Sequence, residues 1–371
     1  MVTRLEIKPE VLQYYVDSST KPMEVLQEKV KNFDKYINGE KQPTFNQLSN
    51  IAKVLNVPTG LLILPNVVES PSNRLSFRTL NSENLEGMSN ELKDTIAEME
   101  IKQDFLKEEI SEPIPFLGMF TIEDDYQKVI ETIRDYLGIN TEYYKETGRE
   151  PIKYFREKIN QLGIFVFFNG KIKDNTQRPL NLKEFRGFVL SDSKAPIIFI
   201  NQLDSKAGQL FTLIHELVHL FLGIDDIYNV IEIEHNRFDP TETFVNKVTA
   251  EILVPAAQIP KQVTVYEIES FANKFKVSEF VIARRFFDLK RISKKQYTET
   301  VQQLEAQFKE LSKIKTGNGG NYHHNINFRI DRVFFNYVDN ALKQNKITYT
   351  EAFKVLGIGF KGYKSLERRR N

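Results

Sequence analysis

The stretch Thr212-Leu213-Ile214-His215-Glu216-Leu217-Val218-His219-Leu220-Phe221-Leu222-Gly223 constrains this chain more than any other. It is apolar nearly all round, so it reads as a helix inside a domain rather than on a surface. His215, Glu216 and His219 are set into that apolar wall. Residues four apart share a helix face, so the two imidazoles converge on one point with Glu216 beside it. Buried without a metal, these groups are costly to satisfy. The spacing is that of a zinc hydrolase: the histidines bind the ion and the glutamate takes a proton from water that the ion activates. Asp204 is expected to cap this helix and Gly223 to end it.

The third zinc ligand has two candidates downstream, Glu242 and Glu251, in the segment Asp239 to Pro255. Nine residues apart, they fall on opposite helix faces. Glu242 shares its face with Asn246, whose amide is placed to hydrogen-bond a ligating imidazole and fix its orientation. The competing reading makes Glu242 the capping-box partner of Asp239 at a helix start. The ligand reading is preferred, because two histidines leave zinc short of its usual three protein ligands. Glu251 is expected to be a salt-bridged or solvated surface residue.

The 371 residues carry a net charge of +1 and no cysteine. Thiolate metal sites and disulfides are therefore excluded, and a protein that coats nucleic acid is disfavoured. No signal-peptide core or membrane-length apolar run is present, which points to a cytoplasmic protein with no membrane partner. Apolar periodicity suggests an α+β fold in five segments: 1–65, short helices resembling a helix-turn-helix; 66–118, a linker and a charged strut helix over 91–110; 119–260, the metal-binding core; 261–315, a second helix-turn-helix-like region; and 316–371, helices and a basic tail. Strands are expected at 164–168, 185–190 and 197–200, where β-branched and aromatic runs meet turn signals. One edge of that sheet is suited to pairing with an extended peptide.

Residues 1–70 hold eight Lys/Arg against eight Asp/Glu, a poor charge balance for reading DNA. Lys31, Asn32 and Lys35 are the candidates for contact there. Residues 261–299 are more basic, nine against five, and offer Arg284 and Arg285 to phosphates or to an acidic partner. The bland alternative is a solvated helix face. His235, His323 and His324 are expected in surface loops.

His215-Glu216-Leu217-Val218-His219, then Glu242-Thr243-Phe244-Val245-Asn246 and Ala250-Glu251-Ile252-Leu253-Val254-Pro255, resembles the ImmA/IrrE family of zinc metallo-endopeptidases. The likeness extends to Phe185-Arg186-Gly187-Phe188 and Ala195-Pro196-Ile197-Ile198-Phe199-Ile200-Asn201. It also takes in the tail from Gly319 to Ala352 and an XRE-like start, and departs from the family pattern at Val245 and Thr249. The resemblance implies a gluzincin-like core with Zn2+ on His215, His219 and Glu242, and Glu216 as general base. It also implies a protein substrate, an XRE-type repressor or an antitoxin, cleaved to switch on phage, mobile-element or stress genes. The alternative from another class is a DNA-binding regulator or antitoxin that keeps the protease shell as a binding platform.

Overall fold

Apolar residues at helical spacing organise the first unit of the chain into α1 (Pro9–Asp17), α2 (Met23–Lys29), α3 (Phe33–Ile37) and α4 (Phe45–Leu55). Their inward faces, among them Leu12, Leu26, Phe33, Leu48 and Ile51, share one core. Thr44 starts α4 reciprocally with Gln47: the Gln47 amide N–H donates to the Thr44 hydroxyl, and Gln47 Oε1 accepts from the Thr44 N–H at 2.9 Å. This computed structural model describes residues 4–17, 23–55, 57, 59–67, 88–224, 239–314 and 322–368. The chain divides once, into Met1–Ala97 and Glu98–Asn371. The sheet and the last helix fall in the same unit.

Helix α5 (Asn90–Glu109) runs across the division and is no charged strut. Lys102, Gln103, Phe105 and Leu106 are buried. The Lys102 ammonium can be buried because Glu98 lies 2.8 Å away and the Val355 carbonyl accepts from it at 3.1 Å, whereas an unpaired buried charge is prohibitive. The Gln103 amide donates to the carbonyls of Leu190 and Ala195 at 2.9 and 3.1 Å.

The second unit continues with α6 (Tyr126–Leu137) and α7 (Pro151–Gln161), followed by strands β1 (Phe165–Asn169), β2 (Gly187–Leu190) and β3 (Ile197–Asn201). The sheet order is β1-β3-β2, with β1 parallel and β2 antiparallel to β3. Every strand residue is buried, which explains apolar runs without alternation: both faces are covered. Val166, Phe168, Val189, Ile198 and Ile200 join the core that contains Leu213 and Leu217 of helix α8 (Lys206–Leu222). On the opposite face, Phe167 meets Phe334 edge-on at 5.2 Å.

Phe334 belongs to α14, within the run α9 (Pro240–Leu253), α10 (Ile268–Phe275), α11 (Glu279–Asp288), α12 (Lys294–Ile314), α13 (Tyr322–Arg329), α14 (Arg332–Lys343), α15 (Tyr349–Leu356) and α16 (Phe360–Glu367). Fully buried Asp331 caps α14 through Val333 and Phe334 N–H, and its other oxygen accepts from Asn160 Nδ2 at 2.7 Å and Val166 N–H at 3.0 Å. One carboxylate thus ties the C-terminal helices to the outer edge of β1. Among the described residues, no helix is long and apolar enough to cross a membrane.

Helix α8 is stopped by Gly223 in the left-handed region, φ +66°. Gly118 and Phe120 donate backbone N–H groups to the terminal carbonyls of Leu220 and Phe221 at 3.0 and 3.1 Å. A Cβ on Gly223 would stand 2.8 Å from the Gly118 Cα. Gly223→Ala therefore combines a left-handed alanine, about 1–2 kcal/mol, with a backbone collision. Chemical denaturation is expected to show a loss of at least that size; an unchanged midpoint would refute the contact.

Candidate metal centre

Two helix starts bring the site together. Ser205, rather than Asp204, caps α8 by accepting from Gly208 N–H at 3.0 Å. Asp204 is diverted to Arg186, 2.8 Å from its guanidinium, a long-range partner that local sequence does not display. Asp239 caps α9, accepting from Thr241 N–H at 2.7 Å. Glu242 then falls in the first turn of α9, and its carboxylate turns to the histidines.

His215 Nε2 and His219 Nε2 lie 3.0 Å apart. Glu242 Oε2 is 3.3 Å from the first and Oε1 is 3.2 Å from the second. Burial pushes the Glu242 carboxyl up, but hydrogen bonds and charge from His215 and His219 outweigh it and hold its pKa at about 2. Glu242 is thus an anion at any physiological pH. His219 is fully buried, while His215 and Glu242 keep 14% and 25% of their side-chain surface. The site therefore opens on the His215–Glu242 side.

The residues present fit a tetrahedral metal ion. Bonds of about 2.0–2.1 Å to nitrogen and oxygen require donors roughly 3.3–3.4 Å apart along each tetrahedral edge. The two imidazole nitrogens stand 3.0 Å apart and each faces its own Glu242 oxygen, at 3.3 Å for His215 and 3.2 Å for His219, so each separation lies near such an edge, and the three residues form a metal-capable group. Two imidazoles and a carboxylate with no thiolate suit a borderline divalent cation.

Glu216 is 5% exposed and faces strand β2. A Cβ built on Gly187 would sit 3.1 Å from Glu216 Oε1, 2.6 Å from Thr212 Cγ2 and 2.9 Å from the Phe199 carbonyl. The Glu216 carboxylate thus reaches the sheet where residue 187 has no side chain. Gly187 carries no functional role in the sequence pattern, although a glycine inside a strand is a recognised sign of close approach.

Residues 160–287 match the model of the Peptidase_M78 family, the IrrE N-terminal-like domain. The matched segment is IrrE-like. It covers about a third of the chain and includes the sheet, α8, α9 and α10, and so the whole metal-capable group. The match supports a metallopeptidase-type domain. No curated protein and no solved structure matches the chain.

Other expected site residues fare differently within and outside the IrrE-like segment. Asn246 is exposed one turn beyond Glu242, and no hydrogen bond joins it to either imidazole among the described residues. An exposed amide is satisfied by water and needs no protein partner, so the orienting role expected of it is corrected. Glu251 is largely buried and ion-paired, with Arg285 and, at 3.8 Å, with Arg134. It also accepts from Ala256 N–H at 3.1 Å. Arg285 is consequently no nucleic-acid contact: it is buried, bound to Glu251 and donating to the Val254 carbonyl at 2.9 Å. Arg284 is exposed and pairs with Asp288 at 2.9 Å. Lys31 and Lys35 are exposed, and Asn32 takes a left-handed conformation at the start of five-residue α3. His235 lies outside the described residues, as do the side chains of His323 and His324.

Proposed function

We propose that the IrrE-like segment is a zinc-dependent endopeptidase that cleaves a partner protein, an XRE-type repressor or an antitoxin. The observation carrying this reading is the convergence of His215, His219 and Glu242 within 3.0–3.3 Å, with Glu216 beside them against a sheet edge. His215, His219 and Glu242 would hold the ion. When bound, it supplies Lewis-acid polarisation of a peptide carbonyl and makes water acidic enough to ionise near neutral pH.

The chain's own residues supply the rest. Because Asn201 N–H donates to the Arg186 carbonyl, the alternating antiparallel pattern turns the N–H and C=O of Gly187 and Val189 outward from β3. That outer edge can pair with an extended peptide and hold its backbone in register. Glu216, under the same edge, accepts a proton from the attacking water at a carboxylate oxygen. It then returns the proton to the departing amide nitrogen. Closure of the β1 edge by Asp331 leaves β2 as the edge for the peptide. The repressor or antitoxin as substrate draws its support from the resemblance of the motif-bearing segments to the ImmA/IrrE family.

Elemental analysis of the purified full chain tests the metal. Wild type is expected to carry about one zinc per chain. His215→Ala and Glu242→Ala are expected to lose it while keeping the secondary structure of wild type. A wild type that takes up no divalent ion would overturn the reading. Incubation with a repressor encoded beside this protein tests the substrate; an intact repressor after metal loading argues against that partner.

A further inference from the structure

We infer that Gly187 is a positioning residue for Glu216. Its bare α-carbon lets the base lie directly beneath the strand edge that would carry the peptide. This rests on the peptidase reading and adds to it the element that sets the distance between base and peptide.

The argument starts from what fills the space. Three groups meet where a Gly187 side chain would be: Thr212 Cγ2, the Phe199 carbonyl and Glu216 Oε1, at 2.6, 2.9 and 3.1 Å. Thr212 and Glu216 are one turn apart on α8, so they present the same helix face to β2. A methyl group there forces β2 away from α8 or turns the Glu216 carboxylate aside. The Thr212 methyl and the Phe199 carbonyl must shift to admit it, and the Glu216 carboxylate, the end of a flexible side chain, gives way with them by a few tenths of an ångström. The outward N–H and C=O of residue 187 keep their direction, because the added side chain points to the helix and not along the edge. Gly187→Ala therefore separates docking from proton transfer. Misplacing a reacting group by about 1 Å can cost on the order of a hundredfold in rate.

The test uses the full chain loaded with zinc and a proteome-derived peptide library, with cleavage read by mass spectrometry. kcat and KM are then measured on the best-cleaved peptide. Gly187→Ala is expected to keep its zinc, hold KM within threefold and lose at least tenfold in kcat. In a Glu216→Asp background, whose shorter carboxylate stops short of β2, the same alanine is expected to cost less than threefold. Affinity for the uncleaved peptide provides a readout without turnover: Glu216→Gln and Glu216→Gln/Gly187→Ala are expected to bind it equally well.

Several results would overturn the inference. One is full activity in Gly187→Ala. Another is an equal penalty in the Glu216→Asp background. A third is recovery of activity in Gly187→Ala/Thr212→Ser, which would make the glycine a packing requirement only. Loss of peptide affinity would make it a docking element instead. A zinc-loaded wild type that cleaves nothing in the library would remove the peptidase reading itself, a result distinct from an active wild type with an equally active Gly187→Ala.

Discussion

Glu216→Gln is expected to fold, bind zinc as wild type does, and cleave peptide at least a hundredfold more slowly. The side chains have nearly the same volume, so the buried position against β2 is conserved. What is lost is the capacity to take a proton, and general-base catalysis is worth about 10²- to 10⁴-fold. The atoms that could hold a metal ion lie on His215, His219 and Glu242, so metal content is expected to be unaffected. Steady-state rates beside zinc analysis decide the matter. Turnover at the wild-type rate would remove Glu216 from the chemistry, and loss of zinc would make it a ligand.

The largest effect on stability is expected from Glu251→Ala. The Glu251 side chain is 12% exposed and Arg285 only 6%, so deleting the acid strands a guanidinium inside the protein. Breaking a buried ion pair from one side typically costs about 3–5 kcal/mol. Arg134, whose guanidinium donates to the Glu251 carbonyl at 2.7 Å, would keep that bond and lose only the more distant carboxylate. Because this cluster joins α6, α9 and α11, the loss is expected in the cooperative unfolding of the whole unit, measured by urea denaturation. Zinc stoichiometry is the control. If Glu251→Ala lost its metal but kept its stability, the third ligand would pass from Glu242 to Glu251.

The regular elements and the His215–His219 pairing were legible because helical and strand periodicity are local properties. Residues that depend on distant partners were not. Asp204 looked like the helix cap because nothing nearby reveals its guanidinium partner, Arg186, 18 residues upstream. Arg285 looked like a surface cation on a basic helix because its acid lies on a different helix. Helix α5 read as a strut since Lys102 and Glu98 count as polar singly and neutralise each other only in the fold. Glu242 is the instructive case. It was preferred over Glu251 partly for its neighbour Asn246, yet Asn246 is solvent-exposed. What places Glu242 beside the imidazoles is the cap at Asp239 and the meeting of α8 with α9, and neither distance can be computed from spacing alone.

The approach of Gly118 to Gly223 reaches beyond stability. The two α-carbons share a space that admits no side chain from the residue-223 side, whereas a Cβ at 118 would stand at ordinary contact, 3.5 Å from the Gly223 Cα. A substitution at residue 223 becomes tolerable only when the opposing loop has already retreated, and that retreat surrenders the two carbonyl contacts at the end of the motif helix. The glycine at 223 is in this sense answerable to a loop more than a hundred positions away in the chain.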